Sequence, residues 1–301
     1  MALAIEDAGT VSIATIGGTQ VRTLDHVVTS TWSPDGVRGA FVGRAPAPGV
    51  YVTNSSGSES RHVLTTLDAG DLALANGGTK LAMTRGKDVV VLNVSSGSAR
   101  VVWRNADIDE SPVWSDNGEV LAAERSEDIY VMNASGSHRR RLPNSGDGSN
   151  SDPGLSPDGK RVAFSHDGAL YLTDVDGKNT RPLTNPRSSG TAVQPRWSHD
   201  GHWIVFSSAA DAAKAIGGTG SDAYQLCVVA ADGSSLSQLT HDGVESRSVS
   251  WAPDDRWIAF VRPSKALDPQ FAYVVQPDGS GERQVGDFHA SPVATVGWVA
   301  P

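Results

Sequence analysis

Eight histidines come first, because imidazole is the side chain best suited to move protons or bind metals near neutral pH. They stand at His26, His62, His138, His166, His199, His202, His241 and His289. His199 and His202 flank Gly201 in a turn, where exposure is expected, while His26, His166, His241 and His289 fall at the other ends of the strands. A metal site drawn from several of them is one reading, and ordinary surface histidine is the other. The carboxylates are also dispersed. Asp174-Val175-Asp176-Gly177-Lys178-Asn179 looks like a calcium loop, but an EF-hand beginning at Asp174 needs glutamate where Asn185 stands. Related segments read NSSG and QPDG, so this one reads as a hairpin turn.

Other motifs give way in the same manner. Gly218 to Ala223 (GTGSDA) fits a relaxed dinucleotide fingerprint, yet a strand, YQLCVV, follows it where a helix is required. Asn54, Asn93 and Asn133 lie in N-x-S sequons, all at one hairpin position that favours Asn for its backbone geometry. There is no G-x-S-x-G elbow, H-E-x-x-H pair or Walker loop. The lone cysteine, Cys227, excludes an intramolecular disulfide and reads as a buried thiol. No cofactor and no metal are expected.

A net charge of −9 argues against a nucleic-acid or anionic-membrane surface. No apolar run approaches the ~18 residues of a membrane helix. The opening MALAIEDAG lacks the basic-then-apolar layout of a signal peptide. An extracytoplasmic protein whose leader or anchor was removed is one expectation, and a cytoplasmic protein is the alternative.

The elements that must position these residues are repeats. In Leu155 to Thr184, Ser-Pro-Asp-Gly turns the chain, then Arg161–Ser165, Ala169–Thr173 and Asn179–Thr184 read as strands between turns. The glycine of the third-to-fourth strand turn recurs at Gly18, Gly57, Gly97, Gly136, Gly177, Gly233 and Gly279, at intervals of 39 to 56 residues. The end of the first strand recurs at Trp32, Leu74, Trp114, Leu155, Trp197, Trp251 and Trp298, positions expected to pack between repeats. After Trp298 the chain supplies no further strands, and residues 1–24 supply three strands without a first. Joined, the ends complete one repeat and leave no open sheet edge.

The expected fold is therefore all-β: a seven-bladed β-propeller of four-stranded antiparallel blades, read as a single domain over residues 1–301. Blades fall near 25–66, 67–106, 107–146, 147–188, 189–242 and 243–287, with a composite of 288–301 and 1–24. No helix is expected beyond a turn at Ala209 to Ala215.

The pattern W-S-P-D-G, a strand ending in Phe-Ser, and D-x-D-G followed by Leu-Thr resembles the WD40-like PD40 repeat of TolB-type propellers. The resemblance is closest at 155–184 and 197–240 and weakest at 74–103. It implies the fold strongly and the function weakly, since such propellers serve as interaction scaffolds, sensor domains and accessory domains of peptidases. TolB's own propeller has six blades and a preceding domain, from which this chain departs.

Strand direction sorts the loops. First-to-second and third-to-fourth turns share one face. Second-to-third loops and blade connections share the other, with insertions at Ser208 to Ala223 and Arg262 to Gln270. Binding is expected on that irregular face. Its candidates are Arg44, Arg85, Arg125, His166 and Arg262 at second-strand ends, and Glu110, Asp152, Gln194 and Arg247 at inner-strand starts. Solvent-exposed salt bridges between blades are the structural alternative. The favoured function is a non-enzymatic binding module for a protein or peptide, or the sensor domain of a larger protein, with a small polar ligand or glycan as a lesser candidate. The alternative is a lyase or glycan-active hydrolase at the central mouth, using His166 or His289 with Asp152 or Glu110.

Overall fold

The structure, a computed structural model, describes residues 1–7, 9–44, 46–109, 112–143, 148–184, 191–209, 223–263, 270–290 and 296–300. Seven four-stranded antiparallel sheets form the blades of a β-propeller. Their inner strands are Val27–Trp32, Ala69–Leu74, Val113–Trp114, Asn150–Leu155, Ala192–Trp197, Arg247–Trp251 and Val296–Val299, which open blades 1 to 7 in turn. Blade 7 is composite: Val296–Val299 pairs with Ala2–Asp7, setting Trp298 opposite Leu3. The ring thus closes through main-chain bonds between the two chain ends.

Four of the first-to-second turns are built by their own side chains. Ser33, Ser115, Ser156 and Ser198 donate their hydroxyls to Asp35, Asn117, Asp158 and Asp200 at 2.6–2.7 Å. The same hydroxyls accept backbone N–H groups from Arg38, Val120, Arg161 and Trp203 as the second strand begins. The glycine that closes the turn has a positive φ, 70° at Gly159, which explains Ser-Pro-Asp-Gly as a unit.

The core is divided by junction. Seven apolar clusters each join two neighbouring blades, for example Leu170, Phe206 and Trp197 between blades 4 and 5. A tryptophan ladder accompanies them. The indoles of Trp114, Trp197, Trp251 and Trp298 each donate at 3.0 Å to a carbonyl of the preceding inner strand, at Ala73, Gly154, Arg196 and Ser250. Trp32, at the seam with blade 7, is partly exposed and its buried Nε1 has no partner. The seam therefore lacks a bond worth about 1 kcal/mol that four other junctions have.

A second repeat of contacts runs around the circumference. Arg22, Arg61, Arg100, Arg140, Arg181 and Arg283 occupy one register position of the fourth strand in six blades. Arg61, Arg100 and Arg181 donate to carbonyls in the next blade that has such a turn, at Val94, Ala134 and Ala231. Three of these recurring arginines are thus outer-edge ties between blades.

Some local expectations shift. The fourth strand of blade 4 is only Arg181–Pro182, as short as Arg140–Arg141 in blade 3, with Leu183 N donating one further bond to the Leu170 carbonyl at 2.8 Å. His166 belongs to the second strand, Arg161–His166, and not to the turn after it. Among the described residues a single 3-10 turn occurs, over Asn76–Gly78. The segment proposed for a helical turn, the GTGSDA motif and most of both insertions lie outside the described residues. Among the described residues no helix is long and apolar enough to cross a membrane.

Candidate binding channel

The seven inner strands line an axial channel of about 940 Å³. Among the described residues five carboxylates, Asp71, Asp109, Asp116, Asp152 and Glu245, reach its wall, against two guanidiniums, Arg196 and Arg247. Both arginines are already engaged. Arg247 is ion-paired with Glu245 and lies over the Tyr224 ring at 4.4 Å, and Arg196 donates to the Pro195 carbonyl at 3.0 Å. The channel is acidic in excess of the chain as a whole.

Inner strands begin at the loop face, so Asp71, Asp109, Asp152, Gln194, Glu245 and Arg247 gather at that mouth. The strands are bulged there: register shifts fall between Ala69 and Leu72, Ser151 and Gly154, Val193 and Arg196, and Arg247 and Ser250. At equivalent positions Asp152, Gln194 and Ser248 adopt φ of 53°, 56° and 55°. Left-handed backbone costs a side-chain-bearing residue roughly 1–2 kcal/mol, and such cost collects where a site needs a particular geometry. The bulge frees backbone groups that neighbouring blades then take up. Asp152 N donates to Glu124 Oε2 at 2.9 Å, Ser248 N to Gln194 Oε1 at 3.4 Å, and in blade 1 Ser30 N to Glu6 Oε2 at 2.9 Å. Burial pushes the Glu6 carboxyl up, against the two bonds from Ser30 that favour its ionised form.

Of the nine residues singled out from sequence, the channel brings together Asp152, Gln194 and Arg247. Glu110 lies outside the described residues. Arg44, Arg85, Arg125, His166 and Arg262 stand at or just beyond second-strand ends, one strand removed from the axis, and none lines the channel. Arg44 is exposed and Arg85 and Arg125 are half-buried. Arg125 lies 5.8 Å from the Trp103 ring. Arg262 is only 4% exposed: it pairs with Asp242 at 2.6 Å and Glu282 at 2.7 Å, contacts Ser246, and lies between the Phe260 and Tyr273 rings. His166 is also buried, with Nδ1 on Asn150 Oδ1 at 2.9 Å and its ring edge-on to Tyr171. Both sit inside the fold. The side chain of His289 lies outside the described residues.

The opposite end of the channel holds what the sequence reading missed. His199 is not an exposed turn residue. It is half-buried, and its Nδ1 lies 2.7 Å from Asp116 Oδ2, reaching from blade 5 to blade 3 past blade 4. The Asp255 carboxylate of blade 6 accepts the backbone N–H groups of His199 and Asp200 at 2.8 and 2.9 Å. Burial works against a charged His199, but the Asp116 hydrogen bond and the charges of Asp116 and Asp255 outweigh it, so its pKa lies above the ordinary histidine value. Burial raises Asp255 as well. A signal existed: the turn residue after serine or alanine is Pro34, Pro157, Pro253 and Pro301 in four repeats, but Asp116 and His199 in two others. Asp71 had its own signal, since it shares a repeat position with Asp152 and Gln194.

Elsewhere, Cys227 is buried and its thiol is pushed up to about 12 by that burial. No group of three or more His, Cys, Asp or Glu arranged for a metal occurs among the described residues.

Comparison with known proteins fits this architecture. A family model described as the TolB beta propeller domain matches residues 123–285, more than half of the chain. An uncharacterized protein of Agrobacterium fabrum is 26% identical over 206 residues, and the alignment covers 66% of this chain and 65% of that relative's length. Among solved structures, a putative TolB from Agrobacterium tumefaciens superposes with a TM-score of 0.59 at 20% identity, over 79% of this chain and 87% of that one. An oligogalacturonate lyase in complex with manganese gives 0.64 at 16% identity, over 89% and 82%. At these identities the likeness is one of fold.

Proposed function

The chain belongs to the TolB β-propeller family, and from that premise we propose that it is a non-enzymatic binding module whose loop-face channel mouth takes a cationic group of a protein or peptide partner. The observation that carries this reading is the acidic mouth itself. Asp71, Asp109 and Asp152 converge there beside the Glu245–Arg247 ion pair, at the head of inner strands whose backbone is held left-handed at Asp152, Gln194 and Ser248. A lysine or arginine side chain inserted there exchanges water for several carboxylates in a partly enclosed cavity, where charge-assisted hydrogen bonds are stronger than neutral ones. Arg44, Arg85 and Arg125 stand outside the mouth on the same face, placed for acidic residues flanking the inserted group.

The test is a peptide-display selection on the intact protein, followed by titration of a selected peptide. Basic sequences are expected to be enriched, and Asp71→Asn with Asp152→Asn should weaken binding at least tenfold. Enrichment of acidic sequences, or unchanged affinity, contradicts the reading. The enzymatic alternative, a lyase or glycan-active hydrolase, draws support from the lyase fold likeness. Turnover of an oligogalacturonate with manganese supplied decides for it.

A further inference from the structure

We propose that Asp116 and His199 form a proton-held latch across the turn-face end of the channel, tying blade 3 to blade 5 while the imidazole is charged and releasing them when it is neutral. The latch lies at the end of the channel away from the proposed partner contact, so it stands or falls separately from that reading.

The two side chains come from one repeat position in two blades that are not neighbours. Where proline occupies this position, as in blades 1, 4 and 6, nothing titratable points to the axis. Asp116 and His199 both line the channel, 2.7 Å apart through Nδ1 and Oδ2. The other ring nitrogen, Nε2, is buried with no hydrogen-bond partner, and the Trp251 backbone favours the charged ring. A neutral ring that keeps its proton on Nδ1 sets the Nε2 lone pair in that buried space, an arrangement with no compensation. A charged ring carries N–H on both sides, one held by Asp116 and the other turned into that buried space, where the Trp251 backbone favours it.

The remaining charges near the turn do not compete. Asp255 is held by two backbone N–H groups. On the same turn, Asp200 takes the Ser198 hydroxyl and pairs with His202 at 3.3 Å. In blade 4, Asp158 accepts from Ser156 and Lys160. In blade 6, Asp254 accepts from Arg256 N, and in blade 1 Asp35 accepts from Ser33 and Gly77. Asp116 is the carboxylate left to face the ring, and the burial of the pair, each 22–23% exposed, limits screening by solvent.

The sign follows from the raised value. The latch contributes fully below the ordinary histidine pKa of about 6.5, and its contribution is lost as pH rises through the higher folded value. The test is an NMR titration of the protein with isotope-labelled histidine, the His199 signal being identified by its loss in His199→Asn. His199 is expected to bind its proton at least threefold more tightly than free imidazole, and Asp116→Asn to remove that excess. In parallel, Asp116→Asn should lower the Tm more at pH 6 than at pH 8.5, with no such pH dependence in the His199→Asn background. A His199 that titrates at or below the free value overturns the latch, as does an equal Tm loss at both pH values. Should Asp116→Asn fail to fold, the titration of the wild-type protein decides alone, and should His199→Asn fail to fold, His199→Gln identifies the signal in its place.

Discussion

The two ends of the axial channel are made from the same seven strands and differ in what holds them. At the turn face, side chains bind one another across blades: Asp116 to His199, the Asp255 carboxylate to the His199 and Asp200 amides, Asn117 to the Asp158 carbonyl. At the loop face, the bulges turn polar side chains toward the channel, and Asp71 stands exposed on its wall. The turn face spends its polar groups on the fold, while the loop face keeps some of them for a partner. Rigid, internally bonded scaffolding beneath a mouth with uncommitted groups is the usual arrangement of a binding propeller.

The largest test of this contrast removes a support common to both ends. Trp197 is buried, packs in the cluster between blades 4 and 5, and is hydrogen-bonded to Gly154. Trp197→Ala should cost about 3–5 kcal/mol in urea denaturation. Trp32→Ala, at the seam where the indole is unbonded and partly exposed, should cost at least about 1 kcal/mol less. Equal losses would mean that the seam is as tightly packed as the other junctions.

A second pair of variants sharpens which loop-face arginines belong to the fold. Arg262→Ala strands Asp242 and Glu282 beside a buried cavity and should destabilise by roughly 2–3 kcal/mol, less than a fully buried pair because both acids are partly exposed. Arg85→Ala, with a half-buried side chain, should change stability by no more than about 0.5 kcal/mol. Chemical denaturation of both reads the difference.

The smallest effect runs the other way. Asp152→Gly relieves the left-handed backbone at φ 53° and should raise stability by roughly 0.5–1 kcal/mol while weakening peptide binding. A loss of stability in that variant would show that the Asp152 side chain, rather than partner contact, maintains the bulge.

The ring was legible because its signals are local and repeated. Glycines recurring every 39 to 56 residues mark one hairpin in every blade, and the unmatched strands at the two ends complete each other, as the pairing of Ala2–Asp7 with Val296–Val299 bears out. The site was legible in part. Asp152, Gln194 and Arg247 follow from their place ahead of Leu155, Trp197 and Trp251, because an inner strand must start at the mouth. Arg262 and His166 were drawn toward the surface by their charge and polarity, whereas Asp242, Glu282 and Asn150, distant in sequence or in another strand, satisfy them inside. His199 was read from its turn alone. Its partner lies 83 residues away in a blade that does not adjoin its own, a proximity that only the closed ring creates. The fourth strand was read too long because the apolar pattern runs on to Leu183, which adds a main-chain bond to Leu170 but extends no strand pairing.

The measurement that tests the contrast most directly is calorimetric titration of one selected basic peptide into three proteins at pH 7: wild type, Asp71→Asn with Asp152→Asn, and Asp116→Asn. The loop-face substitutions should weaken binding at least tenfold, while Asp116→Asn at the far end should leave it within about twofold, differences of about 1.4 and 0.4 kcal/mol. Loss of binding on Asp116→Asn with the loop-face variant unaffected would place the contact at the other end of the channel and contradict the account.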